Sequence, residues 1–569
     1  MLPSIPPRGR RSTQNTQNSQ TNMLVFFACS AASALIVAIC EAGLATSPVA
    51  AQQSVPALVT FDDLRAGLHD TSRWITYSGN YASHRHSSLT QITPQNVSRL
   101  TAQWAFQTET LGKFEATPLV FDGVVYITGP EDTGWAIDAR TGRQIWRYRR
   151  DVPAGIIACC GRVNRGFAML GDRLFKATLD ARVVALSMKS GAVLWEAVME
   201  DFKNGYGSTA APLAVRDKVI VGMTGGEYGV RGFIDAYDAR SGKRVWRFYT
   251  TAGPDDPGHK TWRGMDAKAW EHGGGATWTT GSFDPDLNLV YWGTGNAGPD
   301  YNGSEREGDN LYTASIVALD ADTGRLRWHY QFTPHDVWDW DSTQVPVLAD
   351  LTLGRQPRKV VMFANRNGFF YLLDRATGQL IRATPFIATS WAKEIGADGR
   401  PLLLPGNIPS EVGTRVCPDQ SGGTNWMSPS FDPEASVLFV TARDSCGVFY
   451  TWKDDYEPGA GFRGGAVSRV NDAHHAALRA IDVLTGKRLW EFPYTSQSWA
   501  GVLSTASGLV FAGSNGNFMA FDARTGTNLW HYQTGAPLYS GAVTYMLDGR
   551  QWVLMPSGTT MTAFALPEP

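Results

Sequence analysis

Short apolar runs broken by polar turn residues recur along almost the whole chain, as in KVIVGM (218–223), LVYWGTG (289–295) and GLVFAGS (508–514). Runs of this length, rich in β-branched and aromatic residues and bounded by turn formers, predict strands. Set among them is one repeated pattern, A-x-D-x-x-T-G-x-x-x-W. It occurs as AIDARTGRQIW ending at Trp146, ALSMKSGAVLW at Trp195, AYDARSGKRVW at Trp246 and ALDADTGRLRW at Trp328. It returns as AIDVLTGKRLW at Trp490 and AFDARTGTNLW at Trp530. LLDRATGQLIR keeps Asp374, Thr377 and Gly378 but ends on Arg382, and Trp104 in RLTAQWAFQT reads as an orphaned end of the same unit.

Each copy predicts a strand, an Asp-x-x-Thr-Gly turn and a returning strand that opens on Trp. Asp and Thr side chains bond turn backbone, and Gly supplies the positive-φ position. Steps of about 40–55 residues fit four-stranded blades arranged radially. Seven copies plus the Trp104 remnant predict an all-β fold, an eight-bladed β-propeller with tryptophan-docking motifs. Pairing the N- and C-terminal strands is expected to close it, which removes free sheet edges. An array of separate β-sandwiches does not explain one regular motif running from 104 to 530, and no Pro/Gly/Ser-rich linker divides the chain.

Composition narrows the class. The chain has 569 residues, 43% hydrophobic and 18% charged, which is ordinary globular usage. Lys+Arg (51) and Asp+Glu (53) nearly balance, and no basic patch points to nucleic acid. Twenty Trp and 59 Gly suit many short strands joined by tight turns. Residues 1–22 are polar and carry Arg8, Arg10 and Arg11; an apolar run from Met23 to Cys40 ends at Glu41, and SPVAAQQ follows. This predicts a secretory signal over residues 1–51, cleaved after Ala51, and a single propeller domain over 52–569. An uncleaved membrane anchor is the competing reading, which the Ala/Ser content and small-residue exit disfavour. Cleavage leaves 48 basic against 52 acidic residues, a net charge of −4, in a periplasmic protein with no stable membrane insertion.

Of six cysteines, Cys29 and Cys40 fall in the signal. Cys159, Cys160, Cys417 and Cys446 remain, an even number in an oxidising compartment, with three pairings open. Cys159 and Cys160 are neighbours. Their α-carbons lie ~3.8 Å apart, below the usual ~4.4–6.8 Å of bonded cysteines. A bond between them closes a small strained ring with a flat sulfur surface, an arrangement kept for function more often than for stability; the alternative is two thiols that pair elsewhere or stay free. No C-x-x-C-H occurs, so no covalently held c-type haem is expected.

The repeat spacing stretches to 82 residues between Trp246 and Trp328 and to 108 between Arg382 and Trp490. Most of the chain's polar-aromatic clusters fall in these and the neighbouring loops: HGGGATWTTG, YWGTGNAGPD, TPHDVWDWD, ANRNGFF and CPDQSGGTNW. Loops on a rigid scaffold are where function concentrates. The Trp-turn repeats, ACCGRVNRG, GGGATW, WGTGN, TPHDVWDWD and NRNG, in this order, resemble the pyrroloquinoline quinone (PQQ)-dependent alcohol dehydrogenases of the methanol/ethanol family, from about residue 60 onward. The resemblance implies an eight-bladed propeller with PQQ and a metal ion in its central funnel, acting in the periplasm.

Carried over position by position, the resemblance implies bonds Cys159–Cys160 and Cys417–Cys446, the first lying on one face of the quinone and Trp278 stacking on the other. Glu115, Arg165, Thr209, Thr224, Gly225, Gly226, Arg366, Asn425 and Trp499 match cofactor-contacting positions, Arg366 at the reacting quinone oxygen. Glu227, Asn296 and Asp339 match the metal ligands, a hard-oxygen set suited to calcium and not to zinc. Asp341 stands two residues on. Positions i and i+2 of an extended segment face one side, so it is expected to reach the same ion. An acid here resembles the lanthanide-using methanol dehydrogenases, while sugar dehydrogenases combine Asp-x-Asp with calcium or magnesium; both ions stand as expectations. Asp339 is also the expected general base.

One departure concerns the C-terminal VLMPSGTTMTAFALP, which lacks the Trp that methanol dehydrogenases place near PQQ; Gly558 or Thr559 is expected in its stead. The resemblance implies a small alcohol or sugar-like substrate. With no cytochrome domain in the sequence, a soluble cytochrome c is expected as electron acceptor. The subunit count is open, a homodimer included. The other function class, a non-catalytic propeller like the outer-membrane-assembly scaffolds, shares the repeat but has no use for adjacent cysteines, Trp278 or the Glu227/Asn296/Asp339 set.

Overall fold

The repeated turn is held by its own side chains. In the copy ending at Trp146, one Asp138 oxygen accepts from the Thr141 N–H and the Thr141 hydroxyl, both at 2.9 Å. Gly142 then takes φ +71° and returns its N–H to the Asp138 carbonyl at 2.9 Å. Gly142 has a second reason to lack a side chain: a Cβ there would stand 2.6 Å from the Trp104 ring. Gly191 sits under Trp146 in the same way, its Cβ position 2.7 Å from that ring.

The computed structural model describes residues 58–470 and 475–568; the expected signal, with Cys29 and Cys40, lies outside them. Among the described residues, strands build seven four-stranded antiparallel sheets and one five-stranded sheet that is antiparallel but for one edge strand. In Leu119–Phe121, Val124–Thr128, Gly134–Asp138 and Gln144–Tyr148, the first three strands are buried almost throughout and the fourth is half-exposed. The fold is an all-β propeller, and Thr101–Gln107 pairs with Thr560–Ala565, joining the two ends of the chain in one sheet.

The repeat's tryptophans hydrogen-bond beyond their own sheets. The indole N–H donates to a backbone carbonyl of the next turn: Trp104 to Ala139 at 3.2 Å, Trp146 to Met188 at 2.9 Å, Trp490 to Ala523 at 2.9 Å and Trp530 to Leu100 at 3.0 Å. At ~25 cal/mol per Å² and on the order of 200 Å² per ring, each contact is worth about 5 kcal/mol gross. Where the repeat lacks Trp, Arg382 donates to the Val483 and Leu484 carbonyls at 3.2 and 2.6 Å. A cavity of about 490 Å³ lies nearby, lined by Phe386, Arg479 and Gly486 but not by Arg382.

One N-terminal segment touches the innermost strands in turn. Trp74 bridges Val120, the Tyr81 hydroxyl reaches Ala214 O, and the Tyr81, Ala82 and His84 carbonyls accept from Phe283, Leu348 and Phe431 N–H. His86–Ser87 pairs in parallel with Leu503–Thr505, and Arg85 donates to Ala542 O at 2.6 Å. This segment therefore contacts the first strand of most of the sheets. The insertion after Arg382 adds a hairpin, Ala392–Ile395 with Pro401–Leu403, and a three-stranded sheet, Thr414–Val416, Gly447–Thr451 and Gly465–Arg469. Cys417 is bonded to Cys446 within it. Among the described residues no helix is long and apolar enough to cross a membrane.

Candidate active site

Loops from the inner ends of several sheets converge on a cavity of about 320 Å³. Cys159 and Cys160 are bonded to each other and line it. So do Glu115, Arg165, Thr209, Thr224, Trp278 and Arg366, together with Asn425 and Trp499. Of the expected ion ligands, Glu227, Asp339 and Asp341 line it too. Gly225, Gly226 and Asn296 stand behind the wall. Gly225, at φ +119°, is required there: a Cβ would sit 2.2 Å from the Gly205 carbonyl oxygen. It opens the short turn Gly226–Tyr228 that presents Glu227, whose carboxylate lies within 4.8 Å of both bonded sulfurs.

The W-D-W-D run is sorted by Asp336. Its two carboxylate oxygens accept the N–H groups of Trp338 (2.7 Å) and Trp340 (3.0 Å). The two indoles stack at 4.9 Å inside the core, and their N–H groups donate to Asn407 O and Asp419 O. Asp339 and Asp341 are left facing the cavity. The expected extended geometry is not how this happens. Asp339 has φ +57°, in the left-handed region, where the chain bends at Trp338 and both flanking N–H groups are held by Asp336.

Asp341 is the centre of a hydrogen-bonded chain. Its Oδ2 accepts the Trp278 indole N–H at 3.0 Å and Arg366 Nη1 at 2.7 Å, and its Oδ1 accepts the Asn296 backbone N–H at 2.9 Å. Arg366 Nη2 lies 3.5 Å from Asp339 Oδ1 and donates to the Gln420 carbonyl. On the other side of Trp278, the Arg165 guanidinium stands 4.6 Å from the ring centroid, pairs with Glu115 at 2.9 Å and donates to Thr209 Oγ1 at 2.5 Å. The indole plane is thereby fixed by Asp341 at its edge and by Arg165 on one face.

Four acids crowd this floor: Glu227, Asp300, Asp339 and Asp341. Burial, then Glu227, pushes the Asp300 carboxyl up to about 8. Burial and Asp341 raise Glu227. Burial raises Asp339 well above the usual carboxylate range, with Asp300, Asp341 and Glu227 adding to it and Arg366 opposing. Like charges that hold each other's protons on are what a multivalent cation relieves. The donors fit one: carboxylate oxygens and the Asn296 amide, whose nitrogen donates to Asp300 Oδ1 at 2.8 Å and so leaves the amide oxygen free to ligate.

Several participants carried no signal in a motif. Tyr301 places its hydroxyl 3.2 Å from Asp339 Oδ2 and 2.7 Å from Gln420 Oε1. Lys113, Gln420, Trp426 and Tyr539 line the cavity. Asp300 and Gln420 close clusters already visible, GNAGPD and CPDQ, whereas Lys113 and Tyr539 lie in unremarked loops. Neither Gly558 nor Thr559 lines the cavity. Gly558 spends its N–H on Pro537 O, and the Thr559 carbonyl accepts from Thr108, so both belong to the sheet edge, and Tyr539 stands at the wall instead. Trp499 carries Arg443 on its far face, 3.7 Å from the ring centroid.

Comparison with known proteins agrees with this geometry. The family model for the PQQ glucose/ethanol/alcohol dehydrogenase β-propeller domain matches residues 74–386 and 492–553. The quinohemoprotein alcohol dehydrogenase ADH IIB of Pseudomonas putida is 39% identical over 519 residues, covering 87% of this chain and 74% of that protein. The lanthanide-dependent methanol dehydrogenase of Methylacidiphilum fumariolicum is 36% identical over 532 residues, covering 87% and 86%. A solved europium-containing methanol dehydrogenase superposes with a TM-score of 0.84 at 33% identity, covering 89% of this chain and 100% of that one. Its sheets, its paired neighbouring cysteines and these relatives agree: the chain belongs to the PQQ-dependent (quinoprotein) alcohol dehydrogenase family.

Proposed function

We propose that the protein is a periplasmic dehydrogenase that oxidises an alcohol or sugar-like hydroxyl to the aldehyde or ketone, using PQQ beside a calcium or lanthanide ion, and hands its electrons to a soluble cytochrome c. We read the eight sheets as eight blades and the indole hydrogen bonds as their docking contacts. The observation that carries the functional reading is the chain Trp278–Asp341–Arg366–Asp339, set in a cavity that the bonded cysteines also line.

The residues present fit both groups. A flat tricarboxylate suits a cavity bounded by a disulfide and an indole and supplied with guanidinium donors. The Nε–H groups of Arg165 and Arg366 are buried without a protein partner among the described residues. Glu115, Thr209, Thr224, Asn425 and Trp499 complete the binding set, with Gly225 and Gly226 supplying backbone. Glu227, Asn296, Asp339 and Asp341 would hold the ion. Two of the matched proteins are named for a lanthanide, and Asp341 adds the negative charge a trivalent ion takes, which favours that ion over calcium.

When bound, PQQ supplies a two-electron acceptor and the ion a Lewis acid beside it. Asp339 takes the substrate's hydroxyl proton. Its Oδ2 is held by the Tyr301 hydroxyl, and Oδ1 faces the cavity with Arg366 at 3.5 Å. Burial and three neighbouring acids raise its basicity, while Arg366 and an ion favour its ionised form. Arg366 fixes the two acids relative to each other, and Trp278 and the disulfide exclude water from the space between.

The test is reconstitution of purified protein with PQQ plus calcium or lanthanum, followed by dye reduction with a panel of alcohols, aldehydes and sugars. Alcohol-dependent reduction with at least one ion is expected. No turnover with either ion, and no quinone absorbance, would leave the scaffold reading.

A further inference from the structure

We infer that Lys113 is a carboxylate-binding residue at the rim of the cavity, its ammonium reserved for an anionic group of a molecule bound inside; this rests on the PQQ reading given above. Three cations line the cavity: Lys113, Arg165 and Arg366. Arg165 is engaged by Glu115 at 2.9 Å, and Arg366 by Asp341 at 2.7 Å and Asp339 at 3.5 Å. Among the described residues Lys113 alone of the three has no carboxylate in ion-pair contact.

Lys113 is nevertheless held in place. Its Nζ donates to the Cys160 carbonyl at 3.1 Å and stands 5.6 Å from the centroid of the Tyr539 ring, which also lines the cavity. The carbonyl takes one of three ammonium protons and Tyr539 offers only its π face. Two donors therefore remain beside the bonded Cys159–Cys160 pair. A lysine that served only solubility has no need of these contacts, each of which restricts a long flexible side chain.

The ligand chemistry is a carboxylate, and two sources can supply it: PQQ, which carries three, or a substrate bearing an acid group beyond its hydroxyl. Lys113 lies outside the Trp278–Asp341–Arg366–Asp339 chain, so its replacement leaves the proton acceptor and the groups that position it unaltered. Tyr539 gives the same rim an aromatic wall, and a substrate's methylene chain packs there with its acid on the ammonium.

The experiment compares the full-length protein with Lys113→Met, which keeps the stem, and Lys113→Arg, which keeps the charge. PQQ affinity is read from quenching of tryptophan fluorescence with calcium present. KM is read for a matched pair, an ω-hydroxycarboxylate and the n-alkanol of equal length. If the carboxylate is the cofactor's, Lys113→Met binds PQQ about tenfold more weakly, the worth of one charge-assisted hydrogen bond at a half-open site. The KM ratio of the pair then stays constant and Lys113→Arg restores affinity. If it is the substrate's, PQQ affinity is unchanged while KM for the hydroxy acid alone rises about tenfold. Unchanged PQQ affinity together with an unchanged KM ratio overturns the inference and leaves the PQQ reading intact. Failure of the unaltered protein to bind PQQ sinks both.

Discussion

Replacing Asp341 by Asn separates the two roles the structure gives this residue. As a hub, Asp341 accepts three N–H groups, two of them on Oδ2. Asn offers one acceptor oxygen and one NH2, so either the Asn296 N–H or the Trp278–Arg366 pair meets a donor. One lost neutral bond and one weakened charge-assisted bond amount to about 2–4 kcal/mol. Asp339, at 3.5 Å, takes over part of the Arg366 charge and holds the loss toward the lower end. That cost falls on the fold and is the same whichever ion is added. As an ion ligand, Asp341 contributes one negative charge, and a trivalent ion loses more by its removal than a divalent one. One unit of charge at about 4 Å and an effective dielectric near 20 is worth roughly 4 kcal/mol as an upper limit. With partial compensation by Glu227 and Asp339, a shift of 1.4 to 2.8 kcal/mol is about 10- to 100-fold. The assay is dye-linked turnover of one protein preparation titrated with lanthanum and with calcium. The lanthanum-to-calcium ratio of half-saturating concentrations should rise by that factor in Asp341→Asn. An equal fall in both affinities would refute the ligand role and leave Asp341 as a structural hub.

Further expectations follow from other parts of the molecule. Asp339→Asn should keep PQQ bound and lower turnover by about 10²- to 10⁴-fold, as loss of a proton acceptor does; single-turnover dye reduction near that of the unaltered protein would contradict the base assignment. Arg382→Trp should raise the melting temperature by a few degrees, because a ring laid over Gly486, where the Arg382 stem now lies, as Trp104 lies over Gly142, is worth about 5 kcal/mol gross, offset by two lost Arg382 hydrogen bonds. A lower melting temperature in calorimetry would show that this junction does not follow the tryptophan pattern. Burial holds His84 at about 4 against an ordinary 6.5, and its Nε2–H donates to Leu348 O. The unfolded chain then binds a proton the folded one refuses, so stability present above pH 6.5 drains away as pH falls toward 4, by up to about 3 kcal/mol. Urea midpoints that do not change between pH 7 and 4.5, or a His84→Gln variant with an undiminished slope, would oppose this.

The propeller's repeated strands and turns were legible because their signal is local. Asp138, Thr141 and Gly142 bond within four residues of one another, and the same spacing recurs at Asp374 and Asp522. The candidate site rests on the order of its motifs: no single residue announces itself, but ACCG, GGGATW, WGTGN and WDWD do so together. What stayed hidden depends on contacts between distant segments. No motif singles out Arg85, yet it is buried against the carbonyls of Tyr77, Val502 and Ala542. Tyr301 gains its place only when a loop 119 residues away brings Gln420 to its hydroxyl. The alternation rule pointed both Asp339 and Asp341 at the cavity, but the cause lies in Asp336, which no periodicity singles out.

The central assertion is that a quinone and a cation share the cavity between the bonded neighbouring cysteines and Trp278, and the most direct measurement is binding stoichiometry. Purified protein saturated with PQQ and calcium or lanthanum, then freed of excess by gel filtration, should retain one quinone and one ion per chain. Trp278→Ala should lose the quinone at concentrations where the unaltered protein is saturated, while remaining folded by circular dichroism. Neither quinone nor ion retained, or equal retention after Trp278→Ala, would contradict it.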